Sequence, residues 1–166
     1  MIEVEGESTI NSDKVIDLSL IKIVPAEESH NEFSYQLKKA AYGDYINEIW
    51  GWEESAQREF HAQNWLNKRP EIILYDNQPI GTIYLNENKD YIEIAQFVIL
   101  SEYQNKGIGS YILKGILDRA DRSGLITRLD YLHANPVASL YKRFNFKIVR
   151  SDDIFHFAER KPGGAA

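Results

Sequence analysis

Between an apolar-rich stretch ending at Leu100 and an amphipathic one beginning at Gly107 lies the run Gln104-Asn105-Lys106-Gly107-Ile108-Gly109-Ser110. Glycines at such a junction let backbone N–H groups come close to a ligand. The first turn of a helix adds unpaired donors and a partial positive charge. Together these features suit an anion, phosphate above all, and Lys106 adds a cation; the same spacing also serves a merely tight connection. Two phosphate loops are excluded. No Lys follows the second glycine, as a P-loop requires. Ile112 stands where a dinucleotide fingerprint needs a third small residue.

Other residues carry chemistry of their own. Glu93, flanked by Ile92, Ile94 and Ala95, is a candidate general base, since partial burial raises a carboxyl pKa. An exposed strand glutamate is the plain alternative. Tyr141 offers a phenol, yet Val137, Leu140, Tyr141 and Phe144 also form a helical core stripe. Tyr42, Tyr45, Trp50, Trp52 and Phe60 gather with Glu53, Glu54, Gln57 and His61. Aromatic walls with acids suit a cationic amine, and the same spacing also builds a core. Trp50-Gly51-Trp52 fits a core less well, because neighbouring residues face different ways. Tyr131 and His133 share one strand face, with His133 a reserve base. The four histidines show no metal-ligand spacing, and no metal is expected.

The elements that must position these residues follow from hydrophobic periods. Strands are expected over residues 18–24 (ending before Pro25), 72–75, 80–86, 91–100, 125–133, 146–150 and 154–158. Helices are expected over residues 27–50, 52–68, 107–123 and 136–144. In the second helix Ala56, Phe60 and Asn64 form one row with Trp65 beside it. Gly51 separates the first two helices, Gly124 stops the third, and Asn135 caps the fourth, with Pro136 in its first turn. The order βααβββαβαββ describes a mixed α/β domain over residues 18–160. An acidic flexible arm is expected over residues 1–17 and a tail over residues 161–166.

Composition narrows the class. A chain of 166 residues with 43% hydrophobic and 27% charged residues can bury a core without staples. The absence of cysteine rules out thiolate nucleophiles, Cys-ligated zinc and disulfides. Apolar runs such as Phe97–Leu100 stay far below the ~18 residues of a spanning helix. The acidic Met1–Glu7 segment lacks the apolar core of a secretory signal, so a cytoplasmic, membrane-free protein is expected. A net charge of −6 argues against nucleic acid as a partner. The charge is uneven: residues 1–100 carry 8 basic and 18 acidic side chains, residues 101–166 carry 11 and 7. An anion handled by the C-terminal part would account for that split; chance scatter is the alternative.

The run Gln104 to Gly109 resembles the [QR]-x-x-G-x-[GA] signature of the GNAT superfamily of acyl-CoA N-acyltransferases. Asn135, Ala138, Leu140-Tyr141, Arg143 and Asn145-Phe146 resemble the family's second block, which ends on Gly-Phe. The resemblance spans roughly residues 19–160. It departs at Asn145, the next-best residue to glycine for positive φ, and at Ser101, where a proline is usual.

The resemblance implies a GNAT fold, a mixed sheet of six to seven strands flanked by about four helices. It also implies acetyl-CoA as acyl donor. The pyrophosphate would rest on the amides of Gln104, Asn105, Lys106, Gly107, Ile108 and Gly109, with Ser110 at the helix start. The pantetheine arm would run beside Phe97, Val98 and Ile99, one exposed amide there bonding the thioester oxygen. Asn135 and Arg143 of the second block would help hold the coenzyme. Tyr141 would face its sulfur, and Glu93 would serve as base. Tyr45, Trp50, Trp52, Tyr131 and His133 would meet the acceptor, a small-molecule or peptide amine. Dimers are common in the family, so a homodimer is compatible with the chain. Direct attack in a ternary complex is the expected reaction; a non-catalytic acyl-CoA-binding module on the same fold is the competing class.

Overall fold

A computed structural model of the chain describes residues 15–164. Most of the expected N-terminal arm and the last two residues of the expected tail lie outside them. The strands are β1 (Ile21–Pro25), β2 (Glu71–Tyr75), β3 (Gln78–Glu87), β4 (Tyr91–Ile99), β5 (Ile126–Leu132), β6 (Lys147–Ser151) and β7 (Phe155–Arg160). The α-helices are α1 (Asn31–Trp50), α2 (Glu54–Asn67), α3 (Ile108–Ser123) and α4 (Ala138–Arg143). The strands form one sheet in the order β1-β2-β3-β4-β5-β7-β6. Every pairing is antiparallel except β4 with β5. The expected mixed α/β architecture is present.

Local chemistry explains the turns. Asp76 and Asn77 both adopt positive φ (49° and 64°) between β2 and β3, the conformation of a tight hairpin. Asn88 accepts from the N–H groups of Asp90 and Tyr91 and closes the next hairpin. Gly124, at φ 66°, ends α3, and Asn145, at φ 67°, keeps the turn that glycine would serve.

The two faces of the sheet are covered differently. Ile112, Leu113, Ile116, Leu117 and Ala120 of α3 join Ile73, Ile83, Ile92, Ile94 and Leu129 of the strands in one cluster. The face toward α1 and α2 buries Tyr35, Leu37, Trp65 and Ile72. Among the described residues no helix is long and apolar enough to cross a membrane.

Three expectations are corrected. Leu18–Leu20 is a 3₁₀ turn, not strand, because the Asp17 carboxylate accepts from the Ser19 amide and hydroxyl; the strand then runs through Pro25 at the sheet edge. In α2 the buried row is His61 and Trp65, while Phe60 is exposed. His61 packs between the Tyr35 and Trp65 rings, and the Trp65 indole donates to Glu28 at 3.0 Å, which fixes that rotation. Asn135 does not cap α4, which starts only at Ala138; its side-chain oxygen accepts from the Val137 amide at 3.1 Å in the turn before.

Candidate functional site

The glycine turn is built as an anion cradle. Asn105 and Gly107 adopt φ of 57° and 84°, and Gly107 forms the N-terminal boundary of α3. A β-carbon at Gly107 would meet nothing within 4 Å, so the glycine serves its backbone angle and not a lack of room. Among the described residues no turn or cap bond engages the amides of Asn105 through Ser110. The first N–H to find a carbonyl is that of Tyr111, on Gly107 at 3.0 Å. Lys106, half-buried, stands beside this row of free donors. The Gln104 side-chain amide reaches back and donates to the Ile99 carbonyl at 2.8 Å, tying the turn to the end of β4.

The strands beside the turn part. β4 and β5 pair only at Tyr91 with Ile126, Ile92 with Thr127 and Glu93 with Arg128. Beyond that rung the β5-facing edge of β4 has no strand partner among the described residues. Leu100 donates to the Ile80 carbonyl, and Val98 is paired with Thr82, so both are committed to β3. Strand alternation then turns the backbone groups of Phe97 and Ile99 toward the opening, while Val98 lies between them with its backbone on the other side. Gln96, at φ 49°, marks a bulge where the β3–β4 register shifts. It is pinned by Thr82, which donates to its carbonyl at 2.8 Å, and by its own amide on the Lys68 carbonyl at 2.9 Å.

A cavity of about 730 Å³ fills the opening. Its walls come from α1, α2, the bulged half of β4, the outer half of β5 and the segment leading into α4. Of the residues expected at the acceptor, Tyr45, Trp50 and Tyr131 line it, with Asn135, Phe97, Val98 and Tyr141. The Tyr45 hydroxyl donates to the Ala134 carbonyl at 3.3 Å. Trp52 and His133 lie outside these walls. The Trp52 indole donates to Glu54 at 2.8 Å and lies under the Lys39 ammonium. His133 stacks on His156 at 4.0 Å. Arg143 is exposed on α4, with no ion pair among the described residues.

Glu93 lines a smaller neighbouring cleft with Arg128 and Arg150, and the Asn86 amide donates to its carboxylate at 3.4 Å. Asp130, which the residue pattern left unremarked, lines both spaces. Desolvation pushes the Asp130 carboxyl up, and the nearby Glu93 charge adds to this. On a strand of alternating pattern an outward Asp reads as ordinary surface; only the parting of β4 from β5 turns it toward a cavity.

Tyr141 is buried against Tyr131 and Phe146, with ring centroids 5.5 and 5.7 Å away. Desolvation, and then the neighbouring Tyr42, Asp130 and Tyr131, raise its phenol pKa. Burial likewise pushes Tyr42 up to about 12. Both phenols therefore stay protonated at neutral pH, as hydrogen-bond donors.

The site thus combines an anion cradle, an unpaired strand edge, a buried phenol and a deep apolar cavity. The description "Acetyltransferase (GNAT) family" matches residues 32–146. No curated protein sequence matches the chain. Among solved structures, PaiA N-acetyltransferase from Thermoplasma acidophilum, in complex with coenzyme A, is 20% identical with a TM-score of 0.66, covering 85% of this chain and 98% of that one. Arabidopsis thaliana Naa50, bound to the bisubstrate analogue CoA-Ac-MVNAL, is 15% identical with a TM-score of 0.61, covering 86% and 99%. The ribosomal-protein-S18-alanine N-acetyltransferase of Escherichia coli is 14% identical with a TM-score of 0.62, covering 88% and 96%. The family match spans well over half of the chain and agrees with both sequence blocks and the sheet order: the chain belongs to the GNAT acetyltransferase family.

Proposed function

We propose that the protein moves an acetyl group from acetyl-CoA to a primary amine of a small molecule or peptide, by direct attack within a ternary complex. The observation that carries this reading is the parting of β4 from β5 after Glu93 and Arg128, which leaves a free backbone edge leading from the glycine turn to Tyr141.

Acetyl-CoA supplies a thioester-activated acetyl group, and the chain's residues supply position and charge. The amides of Asn105 through Ser110, with Lys106, hold the pyrophosphate, while Gln104, its own amides bonded to Ser101 and Ile99, fixes the turn. The Phe97 backbone and the Ile99 amide pair with the pantetheine arm, and one of these two amides donates to the thioester oxygen as negative charge grows there. Val98 supports that edge through β3, and Asn135 and Arg143 complete the coenzyme side. Tyr141 donates a hydrogen bond to the departing sulfur. Its raised pKa makes full proton transfer to a thiolate of ordinary basicity uphill, so the phenol acts as a donor and not as the acid.

The acceptor amine must lose its proton to react. Asp130 is the carboxylate on the cavity wall and takes that role, directly or through water. Glu93, in the adjoining cleft, tunes Asp130 through its charge. Tyr45, Trp50 and Tyr131 shape the acceptor space, while Trp52 and His133 brace it from outside. A thiol-release assay with acetyl-CoA over an amine panel, joined to calorimetric titration with CoA, tests the reading. Acetylated product with matching thiol supports it; CoA binding without release for every amine replaces it with a binding module.

A further inference from the structure

The outer part of the cavity, between α1 and α2, is walled by groups that the reaction above leaves unused. Ser34 and Lys38 stand one turn apart on α1, and Gln57 and Asn64 stand two turns apart on α2; all four line the cavity. Among the described residues none of these four side chains has a hydrogen-bonding or ionic partner in the protein. Lys38 is half-buried, with its ammonium 4.2 Å above the centre of the Phe60 ring. Burial lowers its pKa, the mark of a cation missing part of its hydration without a carboxylate in return.

The acids nearby are spent elsewhere. Glu32 pairs with Arg58 at 2.6 Å, and Glu54 takes the Lys39 ammonium at 3.2 Å and the Trp52 indole. Among the described residues the cavity wall carries one acid, Asp130, on the β5 side. Phe60, Trp50 and Ile49 add exposed apolar surface at the outer end. A half-buried cation, three uncommitted polar side chains and an apolar wall are complementary to an anionic group on an apolar molecule.

We propose that the acceptor is an amine whose apolar body also carries a carboxylate, and that Lys38 binds that carboxylate while the amine is presented at Asp130. Amino acids with apolar side chains and short peptides ending in one share this chemistry. The assignment rests on the acetyltransferase reading.

The experiment compares kcat/KM for phenylalanine against phenylalaninamide, and for the dipeptide Ala-Phe against its C-terminal amide, in the native protein, Lys38→Met and Lys38→Arg. Comparing acid-to-amide ratios between proteins cancels the difference in amine basicity. The ratio is expected to fall about tenfold or more in Lys38→Met, the worth of a charge-assisted hydrogen bond, and to recover in Lys38→Arg. The pair that shows the effect distinguishes free amino acid from peptide. An unchanged ratio in both pairs, or turnover of amides alone, overturns the proposal and leaves the acetyltransferase reading standing. Unaltered CoA affinity shows that Lys38→Met is folded. If no amine releases thiol although CoA binds, the acetyltransferase reading fails separately. Calorimetry of the two acids on the CoA-loaded protein then decides: Lys38-dependent binding sustains the carboxylate site, and its absence overturns it.

Discussion

Glu93 of β4 stands level with Arg128 of β5, and this rung is the last that joins the two parallel strands. Past it the cavity opens, with Asp130 two residues on along β5 and the β4 bulge at Gln96 opposite. The same two strands that hold the sheet together therefore create the site by ceasing to pair.

Gly107→Ala should be costly for backbone reasons alone. At φ 84° a β-carbon costs about 1 kcal/mol, and relaxing that strain turns the free amides away from a common point. A small loss in thermal stability and at least a several-fold weaker CoA affinity by calorimetry are expected. Unchanged affinity would remove the anion cradle from the account.

Tyr141→Phe keeps the ring contacts with Tyr131 and Phe146 and removes only the hydroxyl. Loss of a hydrogen bond to a group gaining charge corresponds to about 2 kcal/mol, or roughly thirtyfold in kcat, with CoA affinity nearly constant. Steady-state kinetics beside calorimetry would separate these effects; a fall in CoA affinity with kcat preserved would make Tyr141 a packing residue.

The pH–rate profile should report Asp130. Its carboxyl is raised, and the base must be ionised, so activity should climb on an acid limb set by that group. Asp130→Asn should abolish the limb along with most of the rate. Glu93→Gln removes a neighbouring negative charge, lowers the Asp130 pKa and should move the limb to lower pH. A profile indifferent to both substitutions would assign proton removal to water alone.

How far these features were legible in the residues depended on how narrow each chemical requirement is. A left-handed turn accepts few side chains, so Gly107, Gly124, Asn145 and the Asp76-Asn77 hairpin announced themselves. The helix α3 was equally plain, since one continuous apolar face packs on the sheet. The rotation of α2 was not legible, because Phe60 and His61 are both acceptable core residues. A remote contact, Trp65 on Glu28, decides between them. Nor was the place of Asp130 on the cavity wall, or of Trp52 outside it, legible, because which side of a strand or helix junction meets the cavity depends on partners far away in sequence.

A half-buried ion pair between Asp121 and Arg160 should contribute to acid sensitivity. Arg160 is buried and holds both Asp121 oxygens at 2.7 and 3.0 Å while donating to the Phe144 carbonyl. The Arg160 hydrogen bonds hold the Asp121 carboxyl below its ordinary value, opposed by partial burial and helped by the Gly163 amide. The stabilisation is therefore fully present above about pH 4 and is lost as pH falls through the depressed folded value. Arg160→Met should cost about 3 kcal/mol in urea unfolding near neutral pH and flatten the acid side of the stability profile.

Acetyl transfer by direct attack fixes the stoichiometry of thiol released from acetyl-CoA to acetylated amine formed by the native protein, read together by thiol assay and mass spectrometry. One thiol is expected for each acetylated amine, with no acetyl group retained on the chain. Tight CoA binding with no amine-dependent release, or an acetylated protein as the obligatory intermediate, would contradict direct acetyl transfer.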